Sequence, residues 1–257
     1  MSAEAAAPSW AWPEGVERHV LDEVDSTNAE AQRRAPGLTG PAWILARRQT
    51  AARGRRGRAW ASPEGNFAAT LVLRPKGTPA EAALLSFVAA LALHEALSTL
   101  TGRPEALSLK WPNDVLLNGG KVSGILLESL GSGVSIAHLA IGIGVNLAAA
   151  PDAAALEAGA MRPVSVRGET GISVLPEEFL DFLAAAFARH QQQFETYGFS
   201  PIRTAWLGRA ARLGERITAR TGSETIEGIF DSLDPTGALV LATSQGRRVI
   251  PAADVFF

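Results

Sequence analysis

The chain has 257 residues, 47% hydrophobic and 19% charged, with a formal net charge of -2; that balance suits a globular protein with a sizeable core and excludes a chain-wide basic field that would gather polyanions. The absence of cysteine removes disulfides, thiolate metal sites and a cysteine nucleophile. The longest apolar run, Ala82 to Leu93, is interrupted by Ser86 and falls short of the ~20 residues of a spanning helix, and no basic segment leads into an apolar stretch near the N-terminus, so the sequence reads as cytoplasmic.

"DSTNAEAQRRA" opens with cap-forming residues, and the T-x-x-E spacing of Thr27 and Glu30 predicts a capping box and a helix from about Asn28. "WILARRQ" and "NFAATLVLRP" are β-rich runs, so the arginine- and glycine-rich stretch between them joins two strands. Thr78, Pro79 and Glu81 supply a cap, a first-turn proline and a capping-box acid for a helix running to Thr101 and closed by Gly102. That helix is apolar almost all round, which predicts burial.

"LSLKWP", "DVLLNGGKVSGILLESL" and "VSIAHLAIGIGVNL" then read as strands, with a tight hairpin turn at Asn118-Gly119-Gly120. Ala148 to Leu175 reads as a loop or short helical connection, and "PEEFLDFLAAAFARHQQQFETYG" as an amphipathic helix ending at Gly198. From Leu213 onward, short β-rich runs separated by "GSE", "DPTG" and "SQG" predict a small β-barrel or sandwich. The order is mixed, without regular βαβ alternation. It predicts an α+β domain over residues 15–208, a mixed sheet with helices behind it, followed by a β domain over residues 212–257.

Several stretches could carry chemistry. In "ARGRRGR", Gly54 and Gly57 let the backbone approach a ligand while Arg53, Arg55, Arg56 and Arg58 supply charge; a solvated basic turn, a phosphate-closing loop and an RNA contact are all open readings. "KWPND" places Lys110, Asn113 and Asp114 at a strand end turning into a hairpin, and Lys121 on the returning strand can face the same ligand. "DSTN" can be an N-cap and no more, and "GIGVN" either a strand reaching a turn or a close backbone approach. The histidines His19, His94, His138 and His190 lack metal-ligand spacing and are assigned no site.

Taken in order, D-S-T-N, R-G-R-R-G-R-x-W, K-W-P-N-D, K-x-x-G-I-L and G-x-G-V-N resemble the biotin protein ligases, from about Val20 to Asn146 and again in "EGIFDSLDPTGALVL". The resemblance implies a class II synthetase-like catalytic domain with a C-terminal SH3-like barrel. It also implies a two-step reaction: biotin and ATP give biotinyl-5'-AMP, and a lysine of a carboxylase carrier domain then takes the biotin. Ser26, Thr27 and Gln49, beside Asn28, would contact the ureido head, and Lys121 would sit between carboxylate and α-phosphate. Lys110, Asn113 and Asp114 would line the nucleotide and Mg²⁺ side. Arg53 to Gly57, with Arg55 retaining the adenylate, would fold over the ligand above Trp60, and Gly124 and Asn146 complete the expected site.

The family loop commonly opens with glycine where this chain has Ala52, which predicts a stiffer entry. Only 24 residues precede Asp25, so the expectation is a ligase without a DNA-binding domain, acting as monomer or weak homodimer, with no membrane and no nucleic acid beyond ATP. A lipoate or octanoate ligase or transferase is the nearest alternative, and an arginine-rich RNA-binding module the alternative from another class.

Overall fold

The computed structural model describes residues 10–130, 136–152 and 161–257. In chain order these form β1 (Glu17–Val24), α1 (Thr27–Arg34), β2 (Ala42–Gln49), β3 (Phe67–Leu73), α2 (Pro79–Ala83), α3 (Leu85–Thr101), β4 (Leu107–Lys110), β5 (Asp114–Leu117), β6 (Gly120–Leu130) and β7 (His138–Val145). They continue with α4 (Val166–Thr170), α5 (Pro176–Tyr197), α6 (Phe199–Leu207), β8 (Arg216–Arg220), β9 (Thr225–Leu233), β10 (Leu239–Thr243), β11 (Gly246–Ile250) and β12 (Asp254–Phe256).

The first seven strands make one mixed sheet ordered β1-β2-β3-β7-β6-β5-β4, parallel only between β1 and β2, where α1 provides the crossover. Because successive side chains alternate faces, the sheet sorts its residues cleanly. Trp43, Leu45, Leu71, Ile141 and Ile143 point into the main core with α3, α5 and α6. Ile44, Val72 and Ala140 point the other way, under Ala31 of α1 and Ala35 just after it. That second face, beyond the N-terminus of α1, carries the site.

On the core face α5 is seated by edge-on aromatic pairs, Phe67 with Phe179 at 5.1 Å and Trp43 with Phe187 at 6.1 Å. Together α2 and α3 are long and apolar enough to cross a membrane, but here they form the central core helix, with Val88, Leu91, Leu93 and Leu97 at most 1% exposed. The predicted capping box forms: Glu81 N–H donates to Thr78 Oγ1 at 3.2 Å and Thr78 N–H to Glu81 Oε2 at 2.7 Å. Gly102 closes α3 in the left-handed conformation, φ 63°. Asn118 and Gly119, φ 48° and 75°, turn β5 into β6 as expected.

The capping box expected at Thr27 does not form, and α1 begins one residue early. Thr27 is drawn to Gln49 instead, and Glu30 to Arg33 and Arg34 at 2.7 and 2.6 Å. Three elements carried no sequence signal. β1, "ERHVLDEV", is a largely exposed edge strand with no apolar alternation, α6 follows α5 after a one-residue break at Gly198, and β12 has only three residues. The expected helical connection is α4; residues 153–160 of that connection and 134–135 of the strand expected in "VSIAHLAIGIGVNL" lie outside the described residues.

The C-terminal strands form an antiparallel sheet ordered β11-β10-β9-β8-β12. It is docked by Trp111 Nε1–H donating to the Gly237 carbonyl at 3.0 Å. A Cβ on Gly237 would lie 2.6 Å from the Phe87 ring, so glycine is what lets this turn reach α3.

Candidate active site

A cavity of about 660 Å³, within the range of small-molecule sites, opens on the α1 face of the mixed sheet and is closed on one side by β8 and β12. Its floor is glycine. Gly124 and Gly144 are register partners across β6 and β7, and Gly142 is next along the same face. A Cβ would lie 2.2 Å from Asn28 Oδ1 on Gly142, 2.6 Å from the Trp60 indole on Gly144 and 3.2 Å from it on Gly124. The glycines of "GIGVN" thus admit two of the protein's own side chains onto the sheet.

One end of the cavity is a hydrogen-bond network. The parallel register sets Val24 beside Gln49, so the chain leaving β1 passes the Gln49 amide. Thr27 N–H donates to Gln49 Oε1 at 2.8 Å, which leaves the amide nitrogen as the group able to donate into the cavity. Thr70 Oγ1 lies 2.8 Å from Thr27 Oγ1 and donates to Asn28 Oδ1 at 2.6 Å; Asn28 Nδ2 donates to Glu128 Oε2 at 2.6 Å. Ser26, Thr27 and Asn28 are each only 4% exposed, so each unpaired polar atom there would be costly.

The other end is cationic. Lys110 and Asp114 face each other across the β4–β5 ladder, and Lys121 Nζ lies 2.7 Å from Asp114 Oδ1, an ion pair without the alignment of a directed hydrogen bond. Lys121 also sits 5.7 Å over the Trp60 ring. Arg55 Nη1 donates to Asn113 Oδ1 at 3.3 Å, and Asn113 Nδ2 to the Ile125 carbonyl at 2.5 Å. Burial pushes down the pKa of both Lys110 and Arg55, opposed chiefly by Asp114 for the first and Asp254 for the second. Desolvated cations of this kind gain most from an anionic ligand.

The arginine loop is itself a small hairpin. Arg53 bridges Ala59, Gly54 N–H donates to the Arg58 carbonyl at 2.7 Å, and Arg56 and Gly57 reverse the chain with φ 57° and 73°. Gly54, by contrast, has φ -105°, a value open to any residue. Ala52 is not in the left-handed region, and its carbonyl accepts from Trp60 N–H at 3.0 Å. The loop is held down by the C-terminal sheet: Arg56 Nη1 and Arg58 Nη2 lie 2.6 and 3.4 Å from Asp254 Oδ2.

Every residue expected in the site lines this cavity except Arg56 and Gly57. Arg56 pairs with Asp254 at the cavity's edge, and Gly57 shapes the hairpin. Asn146 is in the wall as a strut, its Nδ2 donating to the Val164 carbonyl at 3.0 Å. Thr70, Glu128, Asp254 and Arg220 were not anticipated. Thr70 and Glu128 sit in runs that read as ordinary strands, and "PAADVFF" has no motif to mark Asp254. A second cavity of about 230 Å³ beside α3 is lined by His94, Glu95 and His190, and Glu95 there pairs with Arg189 and His190 at 2.6 and 2.8 Å.

Residues 20–146 match the model of the biotin/lipoate A/B protein ligase family, and residues 213–257 that of the biotin protein ligase C-terminal domain. The chain is 65% identical, over 93% of its length and 99% of the relative's, to the biotin--[acetyl-CoA-carboxylase] ligase of Paracoccus denitrificans. It belongs to the biotin protein ligase family. More distant is the bifunctional ligase/repressor BirA of Escherichia coli, 31% identical over 86% of this chain and 68% of that protein. The fold of this biotin protein ligase family member superposes on a biotin protein ligase from Aquifex aeolicus in complex with biotin and ATP, with a TM-score of 0.78 and 28% identity, covering 93% of this chain and 98% of that one.

Proposed function

We propose that this chain joins biotin to ATP as biotinyl-5'-AMP and then transfers biotin to a lysine of a carboxylase carrier domain. The observation that carries the reading is that one cavity holds both a network-oriented amide and hydroxyl, Gln49 and Thr27, and the lysine Lys121 in a cationic cluster. An apolar bicyclic ligand with a polar urea at one end and a carboxylate at the other has the matching polarity. The Gln49 amide nitrogen would donate to the urea oxygen, and Thr27 would accept from a urea N–H.

In the first step a carboxylate oxygen attacks the α-phosphorus, and the bond from that phosphorus to the bridging oxygen of pyrophosphate breaks. Two anions must meet, so a fixed cation between them lowers the barrier; Lys121, held by Asp114, is assigned that role. Lys110 and Arg55 would bear on the phosphates. In the second step the amine of the carrier lysine attacks the acyl carbon, AMP leaves with the former carboxylate oxygen, and the nitrogen loses a proton. Arg53 and Arg55 would keep water from the mixed anhydride until that amine arrives.

Mg²⁺ fits the site as an ion carried largely by the nucleotide. Among the described residues no group of three or more histidines and carboxylates could hold a metal, but the buried Asp114 Oδ1, which has no directed hydrogen bond, could add one protein oxygen. When bound it would neutralise phosphate charge. The division into a catalytic part, residues 15–208, and a C-terminal part, residues 212–257, belongs to the same proposal, as does a cytoplasmic location.

The test is biotin-dependent exchange of labelled pyrophosphate into ATP, with lipoate run in parallel. Exchange with biotin and not lipoate is expected; exchange with lipoate alone would move the assignment to the neighbouring acyl-ligase chemistry.

A further inference from the structure

The geometry points to Glu128 as a positioning residue that ties the urea-facing end of the cavity to the arginine loop, a role that rests on the function proposed above. Glu128 stands on β6 on the same face as Gly124, in register with Ala140. Its carboxylate serves two segments at once. Oε2 accepts from Asn28 Nδ2 at 2.6 Å, and Oε1 lies 3.3 Å from Arg53 Nη2. The two partners are 100 and 75 residues away in sequence.

A carboxylate can only accept, and this sets the polarity of everything behind it. Asn28 must offer its nitrogen to Glu128 and its oxygen to Thr70, whose single hydroxyl proton goes to that oxygen at 2.6 Å. The Thr27 hydroxyl, 2.8 Å from Thr70 Oγ1 and 3.2 Å from Gln49 Oε1, spends its one proton within this network, and Thr27 keeps lone-pair density for the cavity, where a urea N–H needs an acceptor. Gly142 makes the arrangement possible, because any side chain there would occupy the space of Asn28 Oδ1. At its other oxygen Glu128 draws the first loop arginine down against the sheet. One side chain thereby orients the biotin acceptor and restrains the lid.

The test compares wild type, Glu128→Ala, Glu128→Gln, Arg53→Ala and the Glu128→Ala/Arg53→Ala double variant. Biotin affinity is read by calorimetry, biotinyl-AMP release by stopped flow, the first step by its kcat and KM, and folding by thermal midpoint. Loss of a hydrogen bond to a charged group predicts that Glu128→Ala weakens biotin binding about tenfold, raising KM far more than it lowers kcat, and speeds adenylate release about tenfold. Glu128→Gln keeps an acceptor for Asn28 but loses the charge facing Arg53, so it is expected to keep biotin affinity and still release adenylate faster. In the Arg53→Ala background the alanine change should weaken biotin without further speeding release. Wild-type affinity and release in both Glu128 variants of an active enzyme would overturn this role alone. A wild type without biotin-dependent pyrophosphate exchange would overturn the ligase reading itself. Should Glu128→Ala fail to fold, the isosteric glutamine variant carries the release test, and unchanged release there refutes the link to the loop.

Discussion

Asp254→Asn is expected to loosen the arginine loop without disturbing the strand that bears it. Asparagine has the same shape, and the backbone pairing of residue 254 with Arg220 across β12 and β8 is untouched. What changes is the charge met by Arg56 and Arg58 at 2.6 and 3.4 Å. The carboxylate is 18% exposed but its guanidinium partners are 48% and 53% exposed, so water screens the pair and the worth of each bridge stays near the surface range of about 0.2–1 kcal/mol. Together they amount to roughly 0.4–2 kcal/mol, or about a 2- to 30-fold shift toward the open loop. The assay is stopped-flow dissociation of preformed biotinyl-AMP, with labelling of a bystander protein such as albumin as the chemical readout. Faster release and more bystander labelling are expected at unchanged thermal midpoint. Added salt should speed release in wild type more than in the variant, because screening removes what the mutation has already removed. Arg56→Ala should reproduce part of the effect and add less in the double variant than alone. A folded Asp254→Asn protein that holds its adenylate as long as wild type refutes the idea that the C-terminal strand latches the loop.

Lys121→Ala should leave the fold intact and slow adenylate formation on the order of a hundredfold or more, since it removes the cation placed between two anions; near-normal pyrophosphate exchange by the folded variant contradicts that role. Gln49→Glu keeps the acceptor for Thr27 N–H, 2.8 Å away, but loses the amide donor, and should weaken biotin by about 1–3 kcal/mol with ATP affinity little changed; calorimetry with unaltered biotin affinity moves the urea subsite elsewhere. Away from the site, His94 is 7% exposed, and burial, aided by Arg209, pushes its pKa from 6.5 down to about 4. The unfolded chain therefore binds this proton more readily, so its contribution is fully present above pH 6.5 and is lost as pH falls toward about 4, by at most roughly 3 kcal/mol. His94→Gln should flatten the thermal midpoint across that window, and an unchanged slope would assign the acid sensitivity to other groups.

What the sequence determined by itself was everything coded within a few consecutive residues. The Thr78 and Glu81 cap, the Gly102 stop, the Asn118-Gly119 turn and the central apolar helix follow from local backbone preferences that tertiary contacts did not override. Most of the site was legible for the same reason: "DSTN", "ARGRRGR" and "KWPND" are compact segments, and the polar groups of each reach one cavity from the end of a strand. Only the tertiary structure decided which groups those segments would meet. Thr27 has the spacing of a capping residue, but the parallel pairing of β1 with β2 puts the Gln49 amide beside it, and that partner wins. Asn28 meets Thr70 and Glu128 from 42 and 100 residues away, and Arg56 meets Asp254 from 198. Such contacts depend on sheet register, where a slip of one residue would turn Thr70, Glu128 and the floor glycines to the opposite face. Local sequence carries the propensity of each strand, whereas register is settled only when the whole apolar face of the sheet is buried against α3 and α5.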